Sequence, residues 1–99
     1  MESKFKPGDW VTQKWKKEFG GEQDFLLIQS ISDNHFSPSV FYRFDFTESK
    51  LVTDQKITHE VSFYSEDPRL EFTLRILTSD DRRKLKYVQN LSTYRKFGL

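Results

Sequence analysis

Few side chains in this 99-residue sequence are suited to acid–base or metal chemistry, and they are scattered. His35 and His59 are the only groups whose ordinary titration falls near neutral pH. His35 sits in a polar stretch, Ser32-Asp33-Asn34-His35, and His59 on the apolar side of an alternating segment beside Val61 and Phe63. A metal site needs further His, Cys or carboxylate ligands at compatible spacing. His59-Glu60 does not supply them, because neighbours on a strand point to opposite faces. Asp80-Asp81 and Glu66-Asp67 are adjacent carboxylates, the first suited to the opening turn of a helix and the second to a tight turn. Cysteine is absent, so there is no thiol nucleophile, thiolate ligand or disulfide. No Gly-rich phosphate loop, nucleophile elbow or Ser-His-Asp arrangement occurs. The expectation is a chain that is not an enzyme and uses no cofactor and no metal.

Recognition chemistry is better represented. Aromatic residues make up 16% of the chain, ten of them Phe. The segment Val40 to Phe46 carries aromatics on both faces of a strand, with Tyr42, Phe44 and Phe46 on one side and Phe41 on the other. Either a helix covers the second face, or an aromatic patch is exposed for a partner. On the second reading Trp10, Trp15, Phe36 and Phe41 are the candidate partner-binding residues. The charge is also uneven. The formal net charge is +1, yet residues 78–99 hold six Lys/Arg against two Asp/Glu. Arg82, Arg83 and Lys86 are therefore candidate phosphate contacts, with aromatic side chains available to stack on bases.

The elements that must position these groups can be read from the pattern. Many Phe and no Ala favours strands over helices. Pro7-Gly8-Asp9 launches a strand from Trp10 to about Lys16, and the charged loop around Gly20-Gly21 ends it. Phe25 to Ile31 opens as a continuous apolar run, the mark of a strand buried on both sides. Ser32 to Ser39 reads as a loop longer than a tight hairpin. Val40–Phe46, a short Leu51–Thr53 and Ile57–Ser65 follow as strands, and Leu70–Ile76 is apolar at every second position. The last element is a helix, capped by Thr78 or Ser79 with Asp80-Asp81 in its first turn. Leu85, Val88 and Leu91 form its apolar face with Tyr87 and Tyr94 at the edge; Arg82, Arg83, Lys86 and Asn90 lie opposite, and Gly98 stops it.

Phe5-Lys6-Pro7-Gly8-Asp9-Trp10-Val11 resembles the first strand of small SH3-like barrels of the short bacterial type, where Gly-Asp-x-Val marks the chain entering the barrel. Gly20-Gly21, the strand Phe25 to Ile31 and Tyr42-Arg43-Phe44-Asp45 are similar to its continuation. The resemblance covers roughly residues 5–46, and it implies a fold but no particular ligand.

The expected fold is mainly β (α+β), a small SH3-like barrel or curled antiparallel sheet of five to six strands with one C-terminal helix. It forms a single domain over 1–99, with a β-rich part over 5–77 and a helix over 79–97. The opening residues lack the apolar run of a secretion leader, and no stretch approaches bilayer length, so a cytoplasmic location off the membrane is expected. The expected role is a non-catalytic protein-interaction module, accessory or inhibitory to a larger protein partner. The alternative is a nucleic-acid-binding module using the basic helix and an aromatic sheet face. A homodimer formed through an edge strand is a third reading.

Overall fold

Pro7-Gly8 turns the chain into its first strand as expected, with Gly8 at φ 95°, a backbone region that side chains rarely adopt. Asp9 closes the turn, its backbone N–H donating to Lys6 O (3.1 Å) while its carboxylate accepts from Lys6 N–H (3.1 Å). The computed structural model describes residues 5–53, 60–63 and 67–96, the side chains of 95 and 96 excepted. His59, Ile57, Glu66 and Gly98 lie outside the described residues.

Six strands, β1 (Trp10–Trp15), β2 (Gln23–Ser32), β3 (His35–Asp45), β4 (Lys50–Thr53), β5 (Val61–Ser62) and β6 (Leu70–Ile76), precede one helix, α1 (Ser79–Lys96). All pairings are antiparallel, in the order β4-β3-β2-β1-β6. β3 is long enough to carry β4 along its C-terminal part and β5 at its start. Among the described residues β4 and β6 do not pair, so the sheet is curled and open rather than a closed barrel.

The loop expected over Ser32–Ser39 is instead strand. Ser32 pairs directly with His35, leaving Asp33-Asn34 as a two-residue connection, with Asp33 at φ 53°. Asp and Asn tolerate this left-handed geometry better than most residues. Pro38 enters the ladder opposite Ile28, where the register shifts on both sides of that residue. A proline without an N–H is accommodated at such irregularities. The clean alternation expected of Leu70–Ile76 is also broken. Two register shifts against β1 leave Leu70 and Leu74 buried, Phe72 half-buried under the Arg75 guanidinium, and Ile76 exposed.

Both faces of the sheet are covered. On one, Leu85 and Val88 of α1 pack with Leu77 against Phe25 and Phe44, and Trp10, Tyr42, Phe46, Leu51 and Leu91 surround them. On the other, Val11, Leu26, Ile28 and Leu74 meet Phe36 and Phe63, with Phe5, Ile31, Phe41 and Val61 at the margin. Each fully buried aliphatic or Phe side chain contributes roughly 1.5–3 kcal/mol relative to exposure.

The N-terminus of α1 is fastened by a reciprocal cap. Asp81 N–H donates to Thr78 Oγ1 (3.2 Å) and Thr78 N–H donates to Asp81 Oδ2 (2.9 Å). Thr78 rather than Ser79 is thus the capping residue. Asp81 is buried and also accepts from Gln23 Nε2 (3.1 Å) and Arg75 Nη1 (2.6 Å), which ties the helix start to β2 and β6. Burial alone would raise the Asp81 pKa, but the hydrogen bonds from Thr78 and Gln23 and the Arg75 charge together hold it below the usual carboxylate value.

Candidate binding cleft

Where β1, β2 and β3 end beside the turn into β6, polar residues replace the apolar ones on the face away from α1. Asp24 on β2 pairs across the ladder with Arg43 on β3 and with Gln13 on β1, so three strands aim their side chains at one point. The Asp24 side chain has no solvent exposure and accepts four N–H groups: Arg43 Nε (2.7 Å) and Nη2 (3.0 Å), Gln13 Nε2 (2.9 Å) and Trp15 Nε1 (3.0 Å). A buried carboxylate is tolerated when its lone pairs are filled in this way.

Arg43 is half-buried, and the Asp24 hydrogen bonds raise its pKa further, against the effect of burial. Its guanidinium carbon lies 5.4 Å from the centroid of the Trp15 ring and 5.4 Å from that of Phe41. A second guanidinium, Arg69, lies 5.3 Å from the Trp15 ring. Arg69 is held by Asp67 through Nη2 (2.6 Å) and Nε, and hydrogen bonds from Arg69 bring the Asp67 pKa down to about 2.

Two backbone links fix the walls. Lys16 N–H donates to Arg69 O (2.8 Å) and Trp15 N–H donates to Glu22 O (2.9 Å). A short 3-10 turn over Lys17–Phe19 ends at Gly20, where φ is 112°, and presents Phe19 with 51% of its surface exposed. Trp15, Phe19, Glu22, Arg43 and Arg69 line a cleft of about 260 Å³. Each guanidinium engages its carboxylate through Nε and Nη2, so Nη1 of both is without a partner among the described residues.

The four aromatic candidates do not form one patch. Trp15 lines the cleft, and Phe41 lies beneath Arg43 at the margin of the second core. Trp10 is on the opposite face, stacked on Tyr42 with centroids 6.1 Å apart in the helix-covered core. Phe36 is a correction: it is fully buried, 4.8 Å from Phe63, and has no surface to offer a partner. Its position in β3, rather than in a loop, carries it inward.

Arg82, Arg83 and Lys86 are exposed on α1, away from the cleft. The aromatic sheet face that was to accompany them in nucleic-acid binding is occupied by α1 itself. His35 is exposed beside the Asp33-Asn34 turn. Among the described residues no group of three or more His, Cys, Asp or Glu is placed to hold a metal ion.

Asp24, Arg43, Arg69, Phe19 and Glu22 were not singled out from sequence. A signal for the central pair was present. Counting back from a two-residue Asp33-Asn34 turn places Asp24 opposite Arg43, but the expected longer loop concealed that register. No helix among the described residues is long and apolar enough to cross a membrane. Comparison with protein-family models, curated proteins and solved structures found no match for this chain.

Proposed function

We propose that this chain is a protein-interaction module whose docking site is the cleft of Trp15, Phe19, Arg43 and Arg69. The observation that carries this reading is the preorganised stack of two guanidinium groups on Trp15, one anchored by a carboxylate with no solvent exposure. Trp and Arg are the residue types enriched where binding energy concentrates, and rigid placement lowers the entropic cost of association. Phe19 offers apolar area at the rim, and the Nη1 groups, without partners among the described residues, offer donors to carbonyls or carboxylates of a partner segment.

Charge favours a protein partner over a polyanion at this site. Arg43 and Arg69 are matched by Asp24 and Asp67, and Glu22 adds a further negative charge to the wall. A phosphate backbone needs uncompensated cations. The same pairing supports a binding role over a catalytic one, since both arginines are committed to structural partners.

The test is affinity capture with wild-type chain and with the surface variants Phe19→Ala and Arg69→Glu, each with and without nuclease. A stoichiometric protein retained through nuclease and lost with both variants supports the reading. Retention by both variants would refute the cleft as the docking site.

A further inference from the structure

Beyond the cleft, the outer face of α1 carries a second recognition surface, and we propose that it binds single-stranded nucleic acid. From Arg82 to the end of the chain there is no acidic residue. Arg82 and Lys86 have no ion-pair partner among the described residues, and Arg83 has only a long, exposed contact to Asp80 (3.4 Å). The helix dipole does not account for these charges. It favours cations near a C-terminus, whereas Arg82 and Arg83 sit near the N-terminal end, where they are disfavoured.

Two tyrosines accompany the cations. Tyr87 is 48% and Tyr94 67% exposed. With about 3.6 residues per turn, Arg83, Tyr87 and Tyr94 fall on one stripe, flanked by Arg82 and Lys86. That stripe runs along the edge of the face that Leu85, Val88 and Leu91 turn to the core. Tyr87 is steadied by an edge contact to Phe44, ring centroids 5.7 Å apart. The two rings are separated by about 10 Å along the axis, so they would take separate bases rather than one.

A convex helix face has no groove for a folded partner's side chains. Stacking needs none, since every unpaired base presents a π-face. Positive charge interleaved with exposed rings therefore matches a single strand better than a duplex, whose bases are already stacked.

The experiment is fluorescence polarisation with a labelled oligothymidine of about a dozen nucleotides. The comparisons are a duplex of equal length and a glutamate-rich peptide, with wild type, the triple variant R82E/R83E/K86E and the double variant Y87A/Y94A. All five positions are exposed, and far-UV circular dichroism confirms that each variant folds. About three phosphate contacts predict a log–log salt slope near −2, so affinity should fall roughly twentyfold between about 50 and 200 mM salt. The triple variant should lose binding, and Y87A/Y94A should weaken it about tenfold or more. No binding at low salt, binding unmoved by either variant, or equal affinity for duplex or peptide would each overturn the proposal. Because Phe19 and Arg69 are unaltered in these variants, the result is independent of the cleft's role.

Discussion

Substituting Asp24 and Arg43 singly and together tests the preorganisation on which the cleft depends. Asp24→Ala removes the acceptor of four N–H groups from a side chain with no solvent exposure. Breaking a buried pair by deleting one partner costs about 3–5 kcal/mol when the remaining charge cannot reach water. The Arg43 side chain is 32% exposed, so its guanidinium can rehydrate, which lowers the expected cost to about 2–4 kcal/mol. Arg43→Ala should be the more severe change, at about 3–5 kcal/mol, because the carboxylate left behind keeps only Gln13 and Trp15 as donors. In D24A/R43A neither charge is stranded, so the double variant should lose less than the sum by about 1.5–3 kcal/mol. Urea titrations followed by far-UV circular dichroism measure the four stabilities. For a domain of this size the Asp24→Ala loss corresponds to a fall in Tm of roughly 10–25 °C. Additivity within about 0.5 kcal/mol would refute the reasoning, since it would mean that Asp24 does not hold Arg43 in place.

Other outcomes follow from the same contacts. Phe36→Ala should cost about 3–5 kcal/mol as a core cavity, whereas Phe19→Ala should change stability by no more than about 0.5 kcal/mol, both read by urea titration. Thr78→Ala should cost about 1 kcal/mol through loss of the helix cap, seen as a lower Tm. Asp81 has its folded pKa lowered, so its contribution is present above the unfolded value of about 3.8 and is lost as pH falls through the folded value. The wild-type Tm should therefore drop as pH falls below about 4, and Asp81→Asn should flatten that drop, measured by calorimetry across pH. Asp67, lowered to about 2, stays ionised through pH 4, so its pairing with Arg69 should survive there. Its carboxyl resonance, followed by NMR, should titrate near 2 and rise only part of the way to the ordinary range in Arg69→Ala, because the backbone N–H of residue 69 still donates to the carboxylate.

The β-rich class and the terminal helix were legible because local pattern dictates them. The alternation of Val40–Phe46 survives in the structure, with Tyr42, Phe44 and Phe46 on the helix side and Phe41 on the other. The apolar run Phe25–Ile28 is a strand with both faces packed, as its continuity suggested. Thr78, Asp80 and Asp81 announced the start of α1, since capping needs only residues a few positions apart. The loop expected over Ser32–Ser39 failed because turn-forming residues cluster there, yet only Asp33-Asn34 makes the turn; Pro38 is accommodated by a register irregularity.

What the sequence alone determined was the kind of elements and the supply of aromatic and charged side chains. Tertiary structure decided which of those side chains meet solvent. Phe36 and Phe19 are the same residue type, but β3 carries the first into a core while a 3-10 turn lifts the second to the surface. Likewise Asp24 is one carboxylate among fifteen acidic residues until the β2–β3 register sets Arg43 opposite it and β1 brings Gln13 and Trp15 alongside. Burial and pairing depend on residues distant in sequence, and the energies of charge and aromatic groups change most on leaving water.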